Sequence, residues 1–268
     1  MGHFSDALGH FSDAFLFDLR RGGPFSGRFT MTASFPSTRW SLILAAGAAQ
    51  EERDAALAEL CRLYWYPLYA HARRAGHSPE DAQDVTQGFF AHLIEARVFE
   101  RVDGPDKGRM RSFLLRGLQN FIMKEHRDAT RLKRGGGMRL VELDALAAEE
   151  RLAQEPVTEE SPERVFDRRW AQAVIEAAYA RLRADYERAG KLSMFSILAP
   201  LADKTDRAIP MAGVAAELGV MEGNARVMLF RLRKQFRAAL QTEMMRTLTD
   251  DGDLKQEMDH LRAALALA

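Results

Sequence analysis

Two carboxylates, Asp81 and Asp84, stand one helical turn apart, a spacing at which they could share a proton or bind a metal ion. No third ligand or apolar pocket accompanies them, and the histidines are not spaced like a zinc site. The single cysteine, Cys61, lies in a stretch of apolar helical period, which is typical of a buried small side chain. We therefore predict no enzymatic activity, no metal ion and no cofactor.

A different chemistry is indicated by the predicted helix that begins at Arg109. At about 100° per residue, its cations, one aromatic ring and one amide fall within a sector of roughly 80° that contains no acid. Such a face suits the stacking of a ring on an unpaired base while cations neutralise phosphates, although an ordinary solvated helix face is the alternative. The positions are Arg109, Phe113, Arg116, Asn120, Lys124, Arg127 and Arg131.

A second basic surface is predicted between Ala208 and Leu240. A short apolar helix is followed by Gly219, which can end a helix with positive φ, and then by a longer helix with an apolar face. A tight helix pair with a glycine in its turn and a basic second helix favours a DNA-binding helix-turn-helix. Two bundle helices with a solvated basic face are the alternative. The side away from the apolar face carries Arg226, Arg233, Lys234 and Arg237, with Arg231 flanking them.

The elements that must hold these faces are helices, because Ala, Leu, Arg and Glu abound while Thr, Val, Tyr and Ile are sparse. The formal net charge is zero, yet the charges are segregated. Lys107–Arg139 has ten Lys or Arg against two acids, a net of +8, and Glu142–Asp167 has nine acids against two Arg, a net of −7. The charges of these adjacent blocks are more informative about function than the net charge of the whole chain.

We predict an all-α chain of two small helical domains joined by an acidic linker, the second ending in the helix-turn-helix. No segment has the length and apolarity of a membrane span, and the first residues lack the pattern of a secretory signal, so we expect a cytoplasmic protein without membrane contact. The predicted segments are a disordered extension at 1–34, a first domain at 35–134, a flexible acidic linker at 135–161, a second domain at 162–242 and a C-terminal helical extension at 243–268.

Three motifs, in order, resemble bacterial RNA polymerase sigma factors. Asp84-Val-Thr-Gln-Gly-Phe-Phe90 is similar to the region 2.2 signature Asp-Leu-Thr-Gln-Glu-Val-Phe. Arg111-Ser-Phe-Leu-Leu115, continuing to Asn120 and Arg127, resembles regions 2.3 and 2.4 of the small extracytoplasmic-function (ECF) group. Ala215-Ala-Glu-Leu-Gly-Val-Met-Glu-Gly223, with Arg231-Leu-Arg233, resembles region 4.2. The match covers regions 2 and 4 without a third domain between them, as in that group.

The resemblance implies a protein that is not itself an enzyme but gives promoter specificity to core RNA polymerase. The first domain would bind the polymerase clamp and open the −10 element through the basic and aromatic face that begins at Arg109. The second domain would read the −35 element of promoter DNA. The implied polymerase-binding residues are Glu80, Asp84, Gln87 and Phe90, and the implied −35 contacts are Asn224, Arg226, Arg231, Arg233 and Lys234.

The chain departs from this family at several positions. Gly88 replaces an acid of the clamp-binding motif, Met221 occupies the usual serine cap of the recognition helix, and Phe230 replaces a usual histidine. Phe113 stands where many members carry tryptophan.

Two other functions compete with the sigma-factor hypothesis. A stand-alone helix-turn-helix regulator would bind an operator without polymerase, and a nuclease or phosphatase built on the acidic pairs would show metal-dependent turnover. The sequence leaves open the promoter sequence, the inducing signal and whether an anti-sigma factor binds.

Overall fold

The computed structural model describes residues 50–95, 110–129, 145–153, 160–202, 204, 209–248 and 254–266. Every regular element in these ranges is helical, which confirms the all-α class. The helices are α1 (Gln50–Arg74), α2 (Pro79–Glu95), α3 (Met110–Ala129), α4 (Ala145–Ala153), α5 (Pro162–Arg188), α6 (Leu192–Leu198) with a 3₁₀ turn at Ala199–Leu201, α7 (Met211–Leu218), α8 (Glu222–Met245) and α9 (Leu254–Leu265).

Some predictions fall outside these ranges, among them the disordered extension at 1–34. Within the described helices, none combines the length and the apolarity that crossing a membrane requires.

Contacts divide the described residues into two units. The larger unit is formed by the described parts of Phe35–Ala173 and Met244–Glu257, and the helix-turn-helix unit by those of Val174–Glu243 and Met258–Ala268. The sequence predicts a domain boundary at the linker 135–161. In the structure, residues 162–173 belong to the larger unit, so the boundary lies within α5.

The core of the larger unit contains an ion cluster around Arg111 of α3. Its Nε donates to Oε1 of Glu257 at 2.8 Å and its Nη1 donates to Oδ1 of Asp167 at 3.1 Å. The side chains of Arg111 and Glu257 are 8% and 3% exposed, and the guanidinium carbon lies 5.3 Å from the ring centre of Trp170. Two carboxylates therefore neutralise a buried cation. Removing either carboxylate would strongly destabilise the unit.

Helices α2 and α3 interlock through two glycines and two phenylalanine rings. A Cβ atom at Gly117 of α3 would lie 2.9 Å from Cζ of Phe89 of α2, and a Cβ atom at Gly88 of α2 would lie 3.3 Å from Cζ of Phe121 of α3. The two rings are themselves 6.0 Å apart between centroids. Each ring thus fills the space that a side chain on the facing helix would need, which fixes the register of the pair.

Part of the predicted flexible linker is packed. Within 135–161, helix α4 places Glu149 against α1, where its carboxylate accepts hydrogen bonds from Tyr69 Oη and Arg73 Nε, each at 2.6 Å. The hydrogen bond from Arg73 is the main reason why the pKa of Glu149 lies below its ordinary value. Arg151 lies over the ring of Tyr66 at 4.7 Å. The rest of the linker, at 135–144 and 154–159, lies outside the described residues.

The helix-turn-helix unit packs around an aromatic group on α5 and α6. The rings of Tyr179 and Tyr186 lie 5.1 and 5.2 Å from that of Phe195, and Tyr186 Oη donates to Oε1 of Gln235 on α8 at 2.6 Å. Glu243 is buried near the end of α8 and pairs with Arg181 at 3.3 Å. These contacts orient α8 on α5 and leave its opposite side exposed.

The glycine contacts predict opposite effects of one substitution at two sites. Gly117→Ala should lower the free energy of unfolding by up to about 2 kcal/mol, because crowding the buried Phe89 ring costs about 1–3 kcal/mol and exceeds the gain in helix propensity of about 1 kcal/mol. Gly213→Ala on α7 is the matched control, since nothing lies within 4 Å of its added Cβ, and it should raise stability by up to about 1 kcal/mol. Urea unfolding measures both, and a stabilised Gly117→Ala variant would contradict the interlock.

Candidate nucleic-acid interface

The turn between α7 and α8 has the geometry that the sequence predicts. Gly219 adopts a left-handed conformation with φ 67° and ψ 32°, and the N–H of Val220 donates to the carbonyl of Ala215 at 3.0 Å. Glycine reaches positive φ without the penalty that a Cβ imposes, so it ends α7 here. The predicted succession of a short helix, a glycine turn and a longer helix is therefore present in the described chain.

Helix α8 separates a buried side from a charged one. Ala225, Leu229, Leu232 and Phe236 are buried, in agreement with the predicted apolar face. Four of the five predicted −35 contacts, Asn224, Arg226, Arg231 and Lys234, are exposed.

Arg226 forms an ion pair with Glu222 one turn earlier in α8, and both side chains are about half exposed. Surface pairs of this kind contribute about 0–1 kcal/mol, so a phosphate or a base edge can replace the carboxylate at little cost. Arg226 is thus positioned at the first turns of the helix and remains available to a ligand.

Arg233, the fifth predicted −35 contact, has another role in the structure. Its Nε donates to the carbonyl of Ala202 at 3.0 Å, and its Nη2 donates to the carbonyls of Leu201 at 3.3 Å and of Lys204. These carbonyls lie at the end of the 3₁₀ turn or just after it, and that of Leu201 also accepts from the N–H of Lys204 at 3.2 Å. The guanidinium therefore caps this segment, so Arg233 has a structural role in addition to the predicted DNA contact, which stays a prediction.

Helix α3 presents a cationic face on the surface of the larger unit. Arg116, Asn120 and Lys124 are exposed, and Phe113 is half-buried beside them. On the other side of α3, Met110, Leu114 and Leu118 are buried. The side chain of Arg127 is outside the described set, as are the residues Arg109 and Arg131. The described part of the predicted −10 surface thus shares one face.

The predicted polymerase contacts on α2 fall on two sides of the helix. Glu80 and Asp84 are exposed and Gln87 is half-buried, so these three form the acidic stripe, the name used below. Phe90 is 4% exposed and belongs to the core, where its ring lies 5.9 Å from that of Phe89. A buried ring cannot contact a partner directly. The prediction that Phe90 contacts polymerase is therefore wrong, and this side chain instead packs in the core beneath α2.

The structure gives a physical reason for the glycine at position 88, where the sigma-factor motif that this segment resembles has an acid. The ring of Phe121 lies against Gly88, and even a Cβ atom there would be only 3.3 Å from Cζ of that ring. A longer acidic side chain would have to displace Phe121 or leave the surface of α3. The departure therefore accompanies the close approach of α2 and α3.

The sequence predicts no catalytic group. Of the polar or nucleophilic side chains that the structure describes, Ser78 and Cys61 have structural roles. Ser78 caps α2, since the N–H of Asp81 donates to its Oγ at 3.1 Å and that hydroxyl donates to the Asp81 carboxylate at 2.9 Å. Burial raises the pKa of the Cys61 thiol to about 11, which disfavours the thiolate. Among the residues that the structure describes, no group of three or more His, Cys, Asp or Glu could hold a metal ion.

Sequence reasoning missed an apolar component of the α8 surface. Met221, Val227 and Phe230 are 75%, 47% and 65% exposed. The helical period that places Arg231 and Lys234 on the outer side also places Val227 and Phe230 there, so the signal was present in the spacing. Apolar residues had been assigned to the core only where they followed the buried stripe.

No family model matches the chain, and neither a curated protein nor a solved structure shows significant similarity to it.

The cap formed by Arg233 predicts a stability effect that its neighbour lacks. Arg233→Ala should lower the free energy of unfolding by about 1–3 kcal/mol, because three carbonyls lose a charged donor. Lys234→Ala, at an exposed position of the same helix, should change it by less than about 0.5 kcal/mol. Thermal and urea unfolding followed by circular dichroism measure both, and equal stabilities of the two variants would argue against the cap.

Proposed function

We propose that this chain is an RNA polymerase sigma factor of the ECF type, which binds core polymerase in the cytoplasm, recognises the −35 and −10 elements and promotes DNA opening. The observation that carries the proposal is the interlocked pair of α2 and α3. One helix exposes the acidic stripe, and the other exposes a cationic face that includes an amide and a half-buried ring. These two surfaces suit a basic protein partner and an anionic strand.

The chemistry of α3 supports contact with an opened strand. Residues 110–124 contain no Asp or Glu, so no carboxylate of this part of α3 repels phosphates. The half-buried Phe113 keeps part of its ring accessible beside Asn120. An accessible ring can stack on a base only after that base leaves its own pair, which links this face to melting rather than to duplex binding.

The helix-turn-helix supports a second contact with duplex DNA. Arg226, Arg231 and Lys234 are exposed on its second helix, which in such motifs lies in the major groove. A formal net charge of zero provides no long-range attraction for DNA. We therefore expect the isolated protein to bind DNA feebly and to require polymerase for tight binding, unlike a stand-alone regulator.

The acidic stripe predicts a specific effect on holoenzyme formation. Asp84→Arg should weaken binding to core polymerase about 10- to 100-fold, because it replaces an attraction to a basic surface by a repulsion. Its melting temperature should stay near that of the wild type, since Asp84 is exposed. Glu187→Arg reverses an exposed charge on α5 and serves as the matched control. Full polymerase binding by Asp84→Arg, or nanomolar operator binding without polymerase, would refute the sigma-factor assignment.

The α3 face predicts a defect in DNA opening. Phe113→Ala should impair open-complex formation by about 1–3 kcal/mol, the range of one stacked base, and should affect initial promoter binding less. Asn120→Ala should have an effect of about 1–3 kcal/mol on the same step, because it removes hydrogen bonds to the edge of an unpaired base. Permanganate reactivity of unpaired thymines measures opening, and filter binding measures the closed complex. A template that is already melted around the −10 element should partly restore both variants. Wild-type permanganate patterns in both variants would show that this face of α3 is an ordinary solvated helix face without a role in DNA opening.

A further inference from the structure

The outer side of α8 combines exposed apolar side chains with cations. Val227 and Phe230 are 47% and 65% exposed and are three positions apart, so their Cβ atoms are neighbours on one face. Met221, 75% exposed, immediately precedes the helix. Exposed apolar groups gathered in this way are unfavourable in water and indicate a surface that binds something.

The charges around this apolar face identify the kind of partner. At about 100° per residue, Arg226 and Arg231 border a sector of roughly 140° that contains Val227 and Phe230 and, further along the helix, Lys234 and Arg237. From 223 to 242 the chain contains no Asp or Glu, and Glu243 is buried. A pair of exposed apolar side chains surrounded by cations is complementary to a ligand whose anionic walls enclose a floor with apolar groups.

The major groove of DNA has this construction. Phosphates border it on both sides, and each thymine exposes a 5-methyl group on its floor, which apolar side chains contact. An acidic protein partner would match the cations as well, but cations on the second helix of a helix–glycine turn–helix succession favour the groove. The surface of α8 therefore fits a groove that contains thymines.

We propose that Val227 and Phe230 read thymine 5-methyl groups in the upstream promoter element, an inference that rests on the proposed function. Arg226 and Arg231 contact the phosphates on either side, while the two apolar side chains distinguish T·A pairs from C·G pairs by shape and apolarity. Phe230, the more exposed of the two, contributes most of the discrimination. Met221 borders the same groove where the helix enters it.

The test uses the complete chain assembled with core polymerase and a promoter selected from genomic DNA. Each thymine of the upstream element is replaced in turn by deoxyuridine, which lacks only the 5-methyl group. We expect wild-type holoenzyme to lose about fourfold in affinity for each methyl group that it buries, the value of one transferred methylene. Holoenzyme with Phe230→Ala should bind the thymine promoter more weakly and should no longer distinguish thymine from deoxyuridine at one position.

Controls separate the possible failures. Met123→Ala removes an exposed apolar side chain from α3, and it should retain the deoxyuridine effect. A promoter-selective holoenzyme that is indifferent to every deoxyuridine, or an effect that persists in both Val227→Ala and Phe230→Ala, would overturn this inference alone. Wild-type promoter binding by both variants would assign the face to a protein partner instead. Failure of the wild-type chain to bind core polymerase would overturn the proposed function and this inference with it.

Discussion

The larger unit depends on the neutralisation of one buried cation. Arg111 lies in the core with Glu257 at 2.8 Å and Asp167 at 3.1 Å, and removal of either carboxylate would leave a poorly compensated charge in an apolar environment. Because Arg111 is the second residue of α3, these contacts also fix the rotation of that helix about its axis. The rotation that buries Arg111 and Leu114 turns Arg116 and Asn120 outward. An internal ion cluster thereby determines which side chains of α3 an external ligand meets.

The interlock of α2 and α3 adds a second constraint, on distance. Phe89 occupies the space above Gly117 and Phe121 occupies the space beside Gly88, so the helices approach more closely than two ordinary side chains would allow. Interiors packed in this way resist deformation. In the proposed function, a partner bound to the acidic stripe of α2 therefore also holds the cationic face of α3 at a set position, without a flexible connection between them.

Periodicity predicted the features that depend on neighbours along the helix. It identified the buried side of α8, the exposed side of α3 and the chain reversal at Gly219, because each follows from spacing or from the backbone freedom of glycine. It did not predict contacts between distant segments. Arg231 and Arg233 are both arginines of α8, yet within the described residues only Arg233 binds carbonyls about 30 positions earlier. The helical period cannot predict such a contact, because it relates only residues of the same helix. Likewise, the acidic composition near Glu149 predicted a flexible linker and not the contacts with α1, because those partners are far away in the chain.

The pairing of Arg111 with Glu257 has a consequence for biosynthesis. The two residues are 146 positions apart, and most of the helix-turn-helix unit is encoded between them. At about 5–20 residues per second, a ribosome needs roughly 7–30 s to travel from the first codon to the second. During that interval the nascent chain already contains Asp167 but still lacks the second carboxylate, so the larger unit cannot complete its core while residues 174–243 are being synthesised. Translation speed between these codons therefore sets how long an unfinished unit is exposed to chaperones and proteases.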